Sequence, residues 1–410
     1  MTVTKQTAQV TVLAGGTVVT PKGFQAAGVH AGLHHSKKDI GVIVCDVPAS
    51  AAAVYTQSHF QAAPLKVTQA SLAVEQKLRA VIVNSSCANA CTGEQGLRDA
   101  YEMRDLCAKQ FGFAPHYVAV ASTGVIGEHL PMEKIRAGIE KLAPGATIAD
   151  AEAFQTAILT TDTVMKHACY ETKVDGKTVI VGGAAKGSGM IHPNMATMLA
   201  FITTDANISS PVLQAALRSI TDVSFNQITV DGDTSTNDMV VVMASGLAGN
   251  DELTPDHPDW ENFYEALRET CEDLAKQIAK DGEGATKLIE VRVHGAKTDD
   301  EAKKIAKQIV GSNLVKTAVY GADANWGRII GAIGYADADV DPANVDVAIG
   351  PIVMLKGSEP QPFLEEEAVA YLQNDMIVID VDLHLGEGFG IAWGCDLTYD
   401  YVKINASYRT

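Results

Sequence analysis

Short apolar runs rich in β-branched residues alternate with longer amphipathic stretches along this chain. Residues 39–45, 80–84 and 117–121 are each a few residues long and closed by turn or polar residues, so they predict buried strands. Residues 376–382 and 396–404 predict two more. Between Trp260 and Lys280, the apolar positions Phe263, Leu267, Cys271, Leu274 and Ile278 recur every three or four residues. That spacing predicts an amphipathic helix, stopped by the glycine-bracketed turn Asp281-Gly282-Glu283-Gly284. Further helices are predicted over 131–142 and 299–310, and loops over 255–258 and 351–362. Few helix-length segments separate the strands. The expected fold class is therefore α/β of the α+β kind, with sheets packed on each other and helices outside, rather than a doubly wound parallel sheet.

Composition narrows the class of function. The chain has 410 residues, 47% hydrophobic and 20% charged, which suits a globular protein with a large core. No window reaches the roughly 18–20 apolar residues of a membrane span, and Met1-Thr2-Val3-Thr4-Lys5-Gln6 lacks the pattern of a signal peptide. Seven scattered cysteines point to reduced, packed thiols and a cytoplasmic location. A net charge of −18 without any basic stripe argues against a nucleic-acid partner.

One threonine near the middle of the chain carries more chemistry than its neighbours. In His192-Pro193-Asn194-Met195-Ala196-Thr197-Met198-Leu199-Ala200, Thr197 follows a small residue at the mouth of an apolar run. An ordinary strand or turn position fits this pattern. So does a self-cutting nucleophile, whose hydroxyl attacks the preceding carbonyl and whose freed α-amine then acts as its base.

Other clusters also have two readings. Gly182-Gly183-Ala184-Ala185-Lys186-Gly187-Ser188-Gly189 fails the spacing of a phosphate-cradling loop and reads as a flexible turn, although glycines before and after Lys186 allow close approach of a ligand. Ser122-Thr123-Gly124 is a turn after a strand, and also a place for a hydroxyl and an amide to meet an oxyanion. Cys87 and Cys91 cannot complete a tetrahedral zinc site, and the histidines are dispersed, so no metal is expected. Asp231-Gly232-Asp233-Thr234-Ser235-Thr236-Asn237-Asp238 opens like a calcium loop, but Val242 stands where its closing glutamate belongs, which leaves a polar turn.

Taken together, these pieces resemble the ornithine acetyltransferase family of arginine biosynthesis, also called glutamate N-acetyltransferases. The match runs from Gly23-Phe24-Gln25-Ala26-Ala27-Gly28-Val29 to Asn405-Ala406-Ser407-Tyr408-Arg409-Thr410, and its most specific part is Ala185-Lys186-Gly187-Ser188-Gly189-Met190-Ile191 followed by Asn194-Met195-Ala196-Thr197. The resemblance implies a layered α-β-β-α sandwich of the kind found in self-processing N-terminal-nucleophile aminopeptidases. It implies self-cleavage between Ala196 and Thr197, an α chain of residues 1–196 and a β chain of 197–410 interleaved in one fold, and an α2β2 heterotetramer. Thr197 is then the nucleophile, and Thr123 and Gly124 form the oxyanion hole. Thr160 (or its neighbour Thr161), Lys186, Thr197, Glu283, Asn405 and Thr410 bind substrate.

The implied reaction moves the acetyl group of N2-acetylornithine to glutamate in a ping-pong cycle without metal or cofactor. Acetyl-CoA is expected as a second donor in a bifunctional enzyme. An enzyme that only recycles acetyl groups, and an amidase or aminopeptidase using the same threonine, are the alternatives.

Overall fold

A computed structural model describes residues 8–192 and 198–407 of the chain. The first part runs β1 (Val10–Val12), β2 (Phe24–Val29), β3 (Ile40–Tyr55), α1 (Ala63–Glu75), β4 (Lys77–Asn84), α2 (Gly93–Phe111) and β5 (Val118–Ser122). Helices α3 (Met132–Glu140) and α4 (Ile148–Ala157) follow, then the hairpin of β6 (Lys166–Val174) and β7 (Lys177–Lys186). Next come β8 (Leu199–Thr204), α5 (Ser210–Val223), β9 (Ile228–Thr229), β10 (Met239–Ala244) and α6 (Trp260–Lys280). The later chain gives β11 (Leu288–Ala296), α7 (Asp299–Gly311), α8 (Asn313–Tyr320), α9 (Trp326–Ile333), β12 (Asp346–Ile349) and β13 (Ile352–Lys356). It closes with β14 (Glu359–Pro360), α10 (Glu365–Leu372), β15 (Met376–Asp382), β16 (Gly388–Cys395) and α11 (Tyr399–Ala406).

Nine strands form one sheet, in the order β1-β6-β7-β8-β10-β3-β4-β5 with β2 also paired to β3. The period-two alternation of its residues shows how it is layered. Val81 and Val83 of β4 and Ala119 and Ala121 of β5 share a core with Leu199 and Phe201 of β8 and Met239, Val241 and Met243 of β10. One end of the sheet therefore folds over the other, the long strand β3 serving both halves and shifting register between Val44 and Ala49. The residues between, Ile82 and Val120, face α2 and α3. On the far side, Ala200, Ile202, Val240 and Val242 face α5 and α6. The layers are helix, sheet, sheet, helix, as the resemblance implies. A second sheet of seven strands, β14-β13-β12-β15-β11-β16-β9, packs against α7 to α10. No described helix is long and apolar enough to cross a membrane.

Several expected elements differ from the structure. Residues 182–186 are not a turn but the end of β7, where the glycines admit close neighbours: a Cβ on Gly182 would lie 2.3 Å from the Thr17 carbonyl oxygen, and one on Gly183 2.7 Å from Leu274. Most of 396–404, expected as strand, lies in or just before the helix α11. Thr398 starts that helix by accepting from the Asp400 amide while its hydroxyl donates to the Gly284 carbonyl at 2.7 Å. Residues 351–362 contain the β13–β14 hairpin rather than a plain loop. The strand expected over 39–45 continues to Tyr55. Cys87 is buried as expected, but Cys91 is exposed.

A buried ion cluster lies where β6, the end of β7 and the end of α6 meet. Lys166 is completely buried and donates to Asp162 and Asp281, both at 2.6 Å. The Asp162 carboxylate also accepts from the amides of Gly187 (2.7 Å) and Thr160 (3.0 Å), and the Asp281 carboxylate from the amide of Thr163 at 3.0 Å. The Asp281 carbonyl takes the Ser188 hydroxyl at 2.7 Å. Burial works against the charge on Asp162, but Lys166, Lys186 and the Gly187 amide outweigh it and hold its carboxyl down at about 2.

Replacing Lys166 with Met strands two buried carboxylates and is expected to cost about 3–5 kcal/mol of stability, read by denaturant unfolding at neutral pH. A carboxyl held below its unfolded value contributes stability that is present above pH 3.8 and lost as pH falls toward about 2. The deficit of Lys166→Met relative to wild type should therefore shrink through that window.

Candidate functional site

Strand ends from both halves of the folded sheet converge on one cavity. Lys186, the last residue of β7, is in register with Leu199, the first of β8, and Leu199 is in register with Met239, the first of β10. From the overlying half, β5 ends at Ser122, and Thr123 and Gly124 continue beyond it. Asn237 ties these loops together by donating to the carbonyls of Ser122 (2.8 Å) and Ala88 (2.6 Å).

Gly124 sits at φ +129°, and a Cβ there would lie 2.1 Å from the Ser86 carbonyl carbon, so only glycine fits. Its amide has no acceptor among the described residues, whereas the flanking amides of Thr123 and Val125 bond to Asn84 and Ser86. The Lys186 amine donates to Thr123 Oγ1 at 2.9 Å. Accepting that bond leaves the hydroxyl proton of Thr123 free to turn elsewhere. Burial pulls the Lys186 amine below its usual range, against the opposing pull of Asp162, Asp238 and Glu283.

The acidic side of the cavity rests on α11. Asn405, on that helix, donates to Glu283 Oε2 at 2.7 Å, and the Glu283 amide donates to the Ser188 carbonyl at 3.0 Å. Gly189 makes room for this carboxylate, since a Cβ there would stand 2.3 Å from Glu283 Cδ. The cavity holds about 360 Å³ and is lined by Thr123, Gly124, Thr160, Lys186, Glu283 and Asn405, together with Thr161, Ile191 and Met198 among others. Both threonines of the uncertain pair thus reach it. Thr197, Ala196 and Thr410 lie outside the described residues, but Met198, next to Thr197, is a wall of the cavity.

Sequence reasoning missed several groups that position this site. Lys166 and its two aspartates left little signal, since the strand that Lys166 opens mixes polar and apolar residues. Asn237 and Asp238 sat within a stretch dismissed as a polar turn. His192 is held by the Thr229 hydroxyl at 3.0 Å, and its ring is pushed down to about 4, mainly by burial and further by Lys307.

Asp175, His257 and Asp259 form the only three-residue group with metal-ligating geometry among the described residues, at the β6–β7 turn and the start of α6. The Asp259 amide donates to His257 Nδ1 at 3.0 Å, which puts the neutral ring's proton on Nε2, facing Asp175 at 3.3 Å. That tautomer offers a metal no lone pair at Nε2, so the group reads as a hydrogen-bonded triad.

The comparisons with known proteins agree with one another. The ArgJ family model matches residues 25–410. "Arginine biosynthesis bifunctional protein ArgJ" of Geobacillus kaustophilus is 88% identical over the full length of both chains. The protein of the same name from Bacillus subtilis is 67% identical, over 96% of this chain and 97% of its own. A crystal structure of arginine biosynthesis bifunctional protein argJ from Bacillus halodurans, 70% identical, aligns with a TM-score of 0.51 over all of that solved chain and 52% of this one. With a family model spanning nearly its whole length and relatives of this identity, the chain belongs to the ArgJ family.

Proposed function

We propose that this protein is an acetyltransferase of arginine biosynthesis that moves the acetyl group of N2-acetylornithine to glutamate through an acetyl ester on Thr197, after cutting its own chain between Ala196 and Thr197. One observation carries the reading. An amide without an acceptor among the described residues and a hydroxyl, at Gly124 and Thr123, stand in the same cavity as a buried lysine and a buried glutamate, and Ile191 and Met198, on either side of the segment 193–197, line it.

The chemistry begins with the cut. The Thr197 hydroxyl adds to the Ala196 carbonyl, the C–N bond breaks, and the nitrogen takes up a proton as the new α-amine. Water then hydrolyses the resulting ester, leaving Ala196 with a carboxylate and Thr197 with its hydroxyl restored. The freed amine has a reference pKa of about 7.7–8.0, which suits a base at neutral pH.

In turnover, Thr197 attacks the acetyl carbonyl of N2-acetylornithine, and the oxyanion is met by Thr123 and Gly124, each such donor being worth about 3–4 kcal/mol. Lys186 takes the substrate carboxylate, and Glu283 takes an ammonium group. Ornithine leaves, and the amine of glutamate attacks the ester to give N-acetylglutamate and free Thr197. Every step is acyl transfer between nucleophiles the chain and its substrates supply, so no metal or cofactor is required. The site must limit water, which would otherwise hydrolyse the ester.

The bifunctional name of the relatives favours a second donor, for which we propose acetyl-CoA. A break near the middle of the chain accords with a solved relative whose entire chain spans 52% of this one. Thr160 and Thr410 complete the proposed substrate contacts, and the working assembly is a cytoplasmic α2β2 tetramer.

Purified wild-type protein should run as two fragments of about half size on a denaturing gel, with a second N-terminus at Thr197, while Thr197→Ala stays whole and inactive. A whole wild-type chain with full activity would sink the reading. Acetate release from acetylornithine that ignores glutamate would favour the amidase instead. Gly189→Ala, which pushes a methyl group against the Glu283 carboxylate, is expected to raise the KM for acetylornithine about tenfold, the cost of one weakened charge-assisted contact, with a smaller change in kcat.

A further inference from the structure

The loop of residues 229–239 grips the chain on both sides of the segment 193–197. On the N-terminal side, the Asp231 carboxylate accepts from two successive amides, Met190 at 2.6 Å and Ile191 at 2.9 Å. Met190 stands at φ +55°, so this turn is one that an L-residue adopts only when held. The Val230 amide and the Thr229 hydroxyl both donate to the Ile191 carbonyl, at 2.7 Å and 3.1 Å. The Thr234 hydroxyl donates to the carbonyl of His192, the last described residue before the segment, at 2.9 Å. On the C-terminal side, the Met239 amide donates to the Met198 carbonyl at 2.9 Å. The Asp231 carboxylate also accepts the Tyr401 hydroxyl of α11 at 3.3 Å, on the same Oδ2 that takes the Met190 amide.

We propose that Asp231 is a positioning residue for self-cleavage: by capping the Met190 and Ile191 amides it fixes the direction in which the chain enters the scissile segment, while the rest of its loop holds the exit. The role rests on the cleavage reading above. A carboxylate suits it because both oxygens accept, so two neighbouring amides are held in one plane with charge-assisted bonds. An asparagine in its place presents an NH2 group to one of them. The loop's resemblance to a calcium site is then incidental, since its first carboxylate is already occupied by backbone amides.

The test follows freshly made precursor on a denaturing gel, with thermal melting run beside it. Asp231→Asn is expected to cut at least about tenfold more slowly than wild type, the loss of one hydrogen bond to a charged group. Tyr401→Phe, which removes a bond to the same carboxylate but not one to the cut segment, should cut within about twofold of wild type. Asp231→Asn cutting at the wild-type rate, or both variants slowing alike, overturns the role while leaving the cleavage reading intact. Should Asp231→Asn not fold, Thr234→Val examines the same cradle: several-fold slower cutting upholds the proposal and wild-type cutting overturns it. A wild-type chain that never cuts overturns both the role and the reading beneath it.

Discussion

A lysine with no exposure to solvent sits between two aspartates, and the site is assembled around that pairing. Lys166 bonds Asp162 and Asp281 at 2.6 Å each. Burying three charges is costly, and only a full set of hydrogen bonds makes it tolerable. Those bonds are drawn from the segments that carry the site: the amides of Thr160 and Gly187, and the Ser188 hydroxyl on the Asp281 carbonyl. Unlike an apolar contact, the cluster tolerates little sliding, because a shift of either loop would leave a charge unpaired. The turn carrying Glu283 follows directly from Asp281, so the acidic wall of the cavity is indexed to the same cation.

The fold-over of the large sheet supplies what the ion cluster cannot. Thr123 belongs to the β4–β5 half and Lys186 to the β7–β8–β10 half, and they meet only because a shared core brings one face of each half together. Phe154 of α4 and Phe201 of β8 meet edge-on there, with ring centroids 5.6 Å apart. The proposed oxyanion donors and the charged side chains are thus held by different layers. Their spacing is set by close packing rather than by any one loop, which suits a site whose geometry must be fixed before substrate arrives.

Regular periodicity was legible in the sequence. The helix over Trp260–Lys280 and the strand over Met376–Asp382 follow the expected bounds because each buries one consistent face. Misreadings share a different cause, namely partners far away in the chain. The glycines before Lys186 look like a turn until Thr17 and Leu274 are seen packed against them. Helix α11 starts where it does because Thr398 bonds to Gly284, a residue 114 positions away. The polar stretch after Val230 looked like a failed metal loop because its hydrogen-bond partners are Met190 and Ile191. Thr123 and Lys186 stood out beside their own glycines, whereas Glu283 and Asn405 were named through resemblance alone, since nothing in the local spacing brings the four to one cavity.

The topology also bears on what a cut at Thr197 would do. Strands β7 and β8 flank the segment and pair from Val181 opposite Thr204 to Lys186 opposite Leu199. β8 and β10 come from the chain after the cut, yet they lie between β7 and β3, which come from before it. Breaking the backbone between Ala196 and Thr197 would therefore remove one covalent link from a sheet whose strands are already interleaved, and would expose no core face. The loop-closure entropy carried by a single short connection is small beside the buried ladders that remain. A fold in which the two halves formed separate domains would come apart on cleavage. Here the new N-terminus would stay at the end of a central strand, with the cavity wall of Met198 beside it.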